Sequence, residues 1–90
     1  MTLYWTDDAL EQVSAIGEHL TLTSPKYAEL IVADLFDRVR PLVDYPKLGP
    51  VYRKASLPQV RELLIKSYRI VYYVGRAQID IIAVLHQKQQ

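Results

Sequence analysis

The apolar pattern of this 90-residue chain changes period once, near Gly49, and that change dictates what it can fold into. Before it, apolar residues recur every three or four positions, the spacing that lines one side of a helix; after it they alternate or cluster as β-branched and aromatic runs, as strands do. Leu3-Tyr4-Trp5 reads as a brief strand running into Thr6-Asp7-Asp8, a helix cap followed by acidic residues that suit the positive end of a helix. Leu10, Val13, Ile16 and Leu20 then form the expected buried stripe of a first helix that ends near Leu20. Ser24-Pro25 restarts the helix, because serine caps and proline at the first helical position forfeits no needed hydrogen bond. Ala28, Ile31, Leu35, Val39 and Leu42, widened by Val32, Phe36 and Val43, make the stripe of a longer second helix. Pro41 requires that this helix stop at Arg40 or kink in its last turn. A short connector between two such helices predicts an antiparallel hairpin laid on a sheet.

The sheet comes from the second half. Val60–Ile65, Tyr68–Val74 and Ile79–Leu85 are separated by Lys66-Ser67 and by Gly75-Arg76-Ala77-Gln78, which predicts an antiparallel meander. Turning the first hairpin on Lys66-Ser67 and closing the second at Val74 and Ile79 sorts the side chains onto two faces. Leu63, Ile65, Tyr68, Ile70, Tyr72, Val74, Ile79, Ile81, Ala83 and Leu85 form the expected seat for the helices. Val60, Glu62, Leu64, Arg69, Val71, Tyr73, Asp80, Ile82, Val84 and His86 form the other face, expected to stay uncovered and therefore to bind. A slip of one residue in the first hairpin would move Glu62 and Arg61 across the sheet, whereas the core set of the third strand of the meander is expected to be unambiguous. The expected class is α+β, a short N-terminal strand and a helical hairpin packed on a C-terminal antiparallel meander, in a single domain spanning residues 1–90.

Composition narrows the chemistry. Half the residues are apolar and 23% are charged, so the chain is expected to fold. There is no cysteine, which removes disulfides, thiolate metal sites and a cysteine nucleophile, and two histidines alone make a poor metal site. Neither a metal nor a cofactor is expected. No apolar run approaches the ~20 residues of a membrane helix, and the N-terminus lacks a basic start with a long apolar stretch, so a soluble, cytoplasmic protein is expected. The net charge of +1 conceals a division: residues 1–45 hold three basic and eight acidic side chains, and residues 46–90 hold eight basic and two acidic. A basic half of this kind suits an acidic partner.

Several motifs together are more specific than any of these. Ser24-Pro25, Tyr45-Pro46 followed by Gly49, Val60-Arg61-Glu62-Leu63, Tyr68-Arg69-Ile70-Val71-Tyr72 and Val84-Leu85-His86-Gln87, in this order, resemble the RelE/ParE superfamily of type II toxin–antitoxin toxins over nearly the whole chain. The resemblance implies a toxin neutralised by a cognate antitoxin whose acidic segment wraps helices and sheet in a hetero-oligomer. It also implies one of two activities. RelE-like members cleave messenger RNA on the ribosome with basic and acid–base side chains, whereas ParE-like members inhibit DNA gyrase. Here Val60-Arg61-Glu62-Leu63-Leu64-Ile65 lacks the lysine pair of the nucleases, Gln87 stands where a nuclease carries tyrosine, and Lys88-Gln89-Gln90 carries no aromatic residue. The ending is closer to ParE, as in the toxins of plasmid stabilisation systems.

A gyrase-directed inhibitor is therefore expected, with a RelE-like ribosome-dependent endoribonuclease as the alternative. Under that alternative Arg69, His86 and Arg61 are the catalytic candidates. The partner-binding candidates are Glu62, Arg69, Tyr73, Ile82, Val84 and His86, and Arg53, Lys54, Lys66 and Lys88 supply a basic surface. Plainer roles compete: a cross-strand bridge between Arg69 and Glu62, a structural partner for Arg61, core packing for Tyr72 and Trp5, and a helix-end position for His19.

Overall fold

The computed structural model describes residues 1–88, so Gln89 and Gln90, the end of the tail noted above, lie outside the described residues. The elements are β1 (Thr2–Trp5), α1 (Asp7–Thr21), α2 (Pro25–Arg38), β2 (Val60–Ile65), β3 (Tyr68–Val74) and β4 (Gln78–His86), with short 3-10 turns at Arg40–Val43 and Arg53–Ala55. Thr6 caps α1 by accepting from the Ala9 amide, and its hydroxyl also donates to the Ile81 carbonyl at 2.8 Å, which ties the helix start to β4. Ser24 caps α2 through the Tyr27 amide, with Pro25 in the first turn. Pro41 acts as a stop. The helix ends at Arg38 and a 3-10 turn carries Leu42 onward into the core.

One sheet runs in the order β1-β4-β3-β2, with β1 parallel to β4 and the others antiparallel. Both hairpins close where the turn residues place them, Ile65 opposite Tyr68 and Val74 opposite Ile79. Lys66 carries the first turn at φ 53°, a left-handed conformation that two-residue hairpins demand. The helices cover one face of the sheet. Their contact buries Val13, Ile31, Leu35, Val39 and Leu42 against Ile65, Ile70, Tyr72, Ile79 and Ile81.

Three expectations are corrected. First, Ala9 takes the fully buried place in the α1 stripe, one position before the expected Leu10, which is 41% exposed. Second, a bulge shifts the β3–β4 register between Val71 and Tyr72: Tyr72 faces Ile81, Val71 faces Ala83, and Ile82 is the extra residue. The bulge returns Val84 and His86 to the helix side, opposite Ile70 and Tyr68, and sends Ala83 and Leu85 to the far side. Val84 is accordingly buried at 3% exposure. Third, the far face is not left bare. The segment from Pro50 to Leu57 pairs with the outer edge of β2, through Glu62 N to Pro50 O at 3.0 Å and Tyr52 N to Val60 O at 2.8 Å, and then folds across that face. Val60 and Val71, which point away from the helices, are buried as a result.

Candidate functional site

The turn after α2 anchors the covering segment. Tyr72, fully buried, accepts from the Gly49 amide at 3.0 Å and donates to the Pro46 carbonyl at 2.8 Å, while Arg61 Nη1 donates to the Gly49 carbonyl at 2.7 Å. A Cβ on Gly49 would stand 2.0 Å from the Glu62 carbonyl oxygen, so only glycine permits this approach. Burial raises the Tyr72 hydroxyl pKa above its ordinary value, opposed in part by the Gly49 hydrogen bond and the Arg61 charge. Arg61 thus fastens a loop to the sheet.

Beyond that anchor, Tyr52 lies over Arg69, with the guanidinium carbon 5.8 Å from the ring centroid. Arg69 Nε donates to Glu62 Oε1 at 2.6 Å, joining two side chains on one face, since Glu62 faces Val71 and Arg69 faces Leu64. Arg69 Nη1 is buried with no hydrogen-bond partner among the described residues. Pro50, Val51, Tyr52, Arg53, Lys54, Glu62 and Arg69 line a cleft of about 340 Å³ there. No periodicity or motif in the sequence marks Tyr52; its place between Gly49-Pro50 and the basic pair Arg53-Lys54 is the one local signal.

His86 lies elsewhere. Consecutive residues of β3 point to opposite faces, and His86 pairs with Tyr68 while Arg69 pairs with Leu85, so the sheet separates His86 from Arg69. The His86 ring meets Tyr68 edge-on at 5.5 Å, and its Nδ1 accepts from the Lys88 amide. With Gln12, Ile16, His19, Tyr68 and Val84 it lines a cleft of about 680 Å³ between α1 and the end of β4. Burial, and then the neighbouring Tyr27, raise the Tyr68 pKa. Gln12 closes a gap at the sheet edge. The β1 pairing reaches only Ile81, and the Gln12 side-chain oxygen accepts from the unpaired Val84 amide at 2.6 Å.

The other predicted residues divide likewise. Leu64, Tyr73 and Ile82 are exposed, Tyr73 and Leu64 on the far face and Ile82 at the bulge, whereas Val84 is core. Arg53, Lys54, Lys66 and Lys88 are exposed as expected, but only Arg53 and Lys54 join Arg69 in a cleft. No group of three or more metal-ligating side chains occurs among the described residues.

A short strand, a helical hairpin and a meander whose far face is roofed by a basic loop define a small α+β domain, and its relatives place it in the class of toxin–antitoxin toxins. The family model described as the ParE toxin of type II toxin–antitoxin systems, parDE, matches residues 3–90, and the chain belongs to that family. A Sinorhizobium fredii (strain NBRC 101917 / NGR234) protein named "Putative toxin Y4kP" is 32% identical over 88 residues, covering 96% of this chain and 88% of its own. A structure described as the chromosomal ParDE TA system from P. aeruginosa superposes with a TM-score of 0.80 at 27% identity, over 96% of this chain and 95% of that one.

Proposed function

We propose that this toxin acts in the cytoplasm as a non-enzymatic inhibitor of DNA gyrase and is silenced by a cognate antitoxin. The observation that carries the reading is the separation of the would-be catalytic groups. Arg69 is committed to Glu62 beneath Tyr52, Arg61 fastens Gly49 from its place opposite Tyr72, and His86, opposite Tyr68, lies through the sheet from Arg69 and four β3 positions along from the partner of Arg61. A ribonuclease needs an acid or base and a phosphate-stabilising cation within reach of one nucleotide, and these side chains do not converge. Membership of the ParE family supports the inhibitor in place of the nuclease.

The purified protein added to a gyrase supercoiling reaction is expected to reduce supercoiling in proportion to its concentration, and adding the antitoxin restores it. Undiminished supercoiling at saturating protein refutes the reading. Primer extension on messages from expressing cells checks the nuclease: no new ends are expected.

A further inference from the structure

Arg53, Lys54, Glu62 and Arg69 line the cleft that Tyr52 roofs. Three cationic side chains, Arg53, Lys54 and Arg69, surround one carboxylate, Glu62, so the cleft has an excess of positive charge. Arg69 spends its Nε on Glu62, yet its Nη1 is buried without a partner among the described residues. A buried guanidinium donor left unsatisfied is costly, and a ligand oxygen that accepted its hydrogen bond would recover that cost. Tyr52 and Glu62 hold the guanidinium in place, so little side-chain freedom remains to be lost on binding.

We infer that this cleft is an oxyanion pocket that takes the carboxylate of an aspartate or glutamate on a partner protein, with Arg69 Nη1 as the buried donor and Arg53 and Lys54 as the outer cations. Two observations favour a carboxylate on a protein over a nucleic-acid phosphate. The Glu62 carboxylate stands inside the cleft and repels a continuous line of phosphates more than a single monoanion. The surroundings are apolar as well as basic: Val51 lines the cleft at 39% exposure, and Leu64, directly opposite Arg69 in the ladder, is 53% exposed. An acidic residue flanked by aliphatic ones would cover both. The chemistry is the same whichever macromolecule the toxin attacks.

The experiment is a nitrogen-15 NMR titration of the full chain with the capped tripeptide N-acetyl-Leu-Asp-Leu-amide, its Asn counterpart, inorganic phosphate and a uridine hexanucleotide. The Asp peptide is expected to shift the Arg69 Nε–H and the Tyr52, Arg53 and Lys54 amides in a saturable manner, with about tenfold tighter binding than the Asn peptide. The Arg53→Gln/Lys54→Gln variant, whose changes are at exposed positions, should keep a dispersed spectrum and weaken the Asp peptide by about tenfold. Equal response to both peptides, no response at these resonances, or tighter saturation by phosphate or the oligonucleotide would overturn the assignment. None of these readouts depends on toxicity, so a negative supercoiling result leaves the pocket standing, and the converse.

Discussion

Arg69 and Glu62 meet diagonally across the β2–β3 ladder at 2.6 Å, with only 12% and 17% of their side chains exposed. At this depth solvent no longer screens the pair as it does a surface bridge, so deleting one partner strands the other charge beneath Tyr52. Arg69→Ala or Glu62→Ala is expected to lower stability by about 1–3 kcal/mol. The double variant should cost less than the sum of the two. Urea unfolding of the four proteins in the cycle measures it, and strict additivity would mean that the contact contributes nothing.

The Tyr72 hydroxyl serves two backbone groups of the loop, Gly49 N and Pro46 O, from inside the core. Tyr72→Phe preserves the ring but leaves a buried amide unpaired, at a cost of about 1–3 kcal/mol. Gly49→Ala must push the loop away from the Glu62 carbonyl and is expected to cost a similar ~1–3 kcal/mol. Both variants should also speed hydrogen exchange at Tyr52 and Glu62, whose amides hold the segment to β2. Unchanged exchange there would show that the anchor is not what fixes the roof.

The residues involved explain how far the sequence could be read. Helix caps at Thr6 and Ser24 and the turn at Lys66-Ser67 are local signals, and each places its element correctly. The bulge at Ile82 is not local. Asp80 marks Ile79 and Ile81 as inward, but Ile82, Ala83, Val84 and Leu85 are apolar in both phases, so alternation does not reveal the bulge; burying Val84 under α1 and satisfying its amide with Gln12 select the observed register. That shift alone put His86 on the other side of the sheet from Arg69. The roof was hidden for a different reason: Pro50 to Leu57 has no helical or strand period, and its position follows from long-range bonds to β2 and Tyr72 that no spacing encodes. The Glu62–Arg69 bridge was legible, being diagonal neighbours in a hairpin whose turn was clear.

Lys66 adopts a positive φ that costs a non-glycine residue about 1 kcal/mol or more. Its side chain is exposed, so little packing is lost on truncation. Lys66→Gly is expected to raise stability by about 0.5 kcal/mol, the strain relieved being partly offset by the freedom glycine gains in the unfolded chain. Thermal unfolding checks it, and a lower midpoint would show that the turn prefers lysine.

Burial raises the pKa values of Tyr68 and Tyr72 above the 10.0 of a free tyrosine. The unfolded chain therefore releases these protons first as pH rises. The stabilisation from keeping both rings neutral is complete below pH 10 and is lost through the alkaline interval up to the folded values. The urea midpoint should accordingly fall above about pH 10, and Tyr68→Phe should flatten that fall. A midpoint independent of pH there would contradict the raised values.

His86 offers the sharpest choice between the two activities. As a general acid or base it would contribute about 10²–10⁴-fold to a cleavage rate, and His86→Gln would remove nearly all of it. In this structure the ring packs edge-on against Tyr68 on the helix side, across the sheet from the basic cleft. His86→Gln is therefore expected to leave gyrase inhibition and growth arrest within about twofold of the parent, with a stability loss of about 0.5–1.5 kcal/mol from the ring contact. Growth of expressing cells, supercoiling inhibition and thermal unfolding, measured on the same variant, separate the outcomes. Abolished toxicity in a protein that still folds would return His86 to the reaction and favour the nuclease.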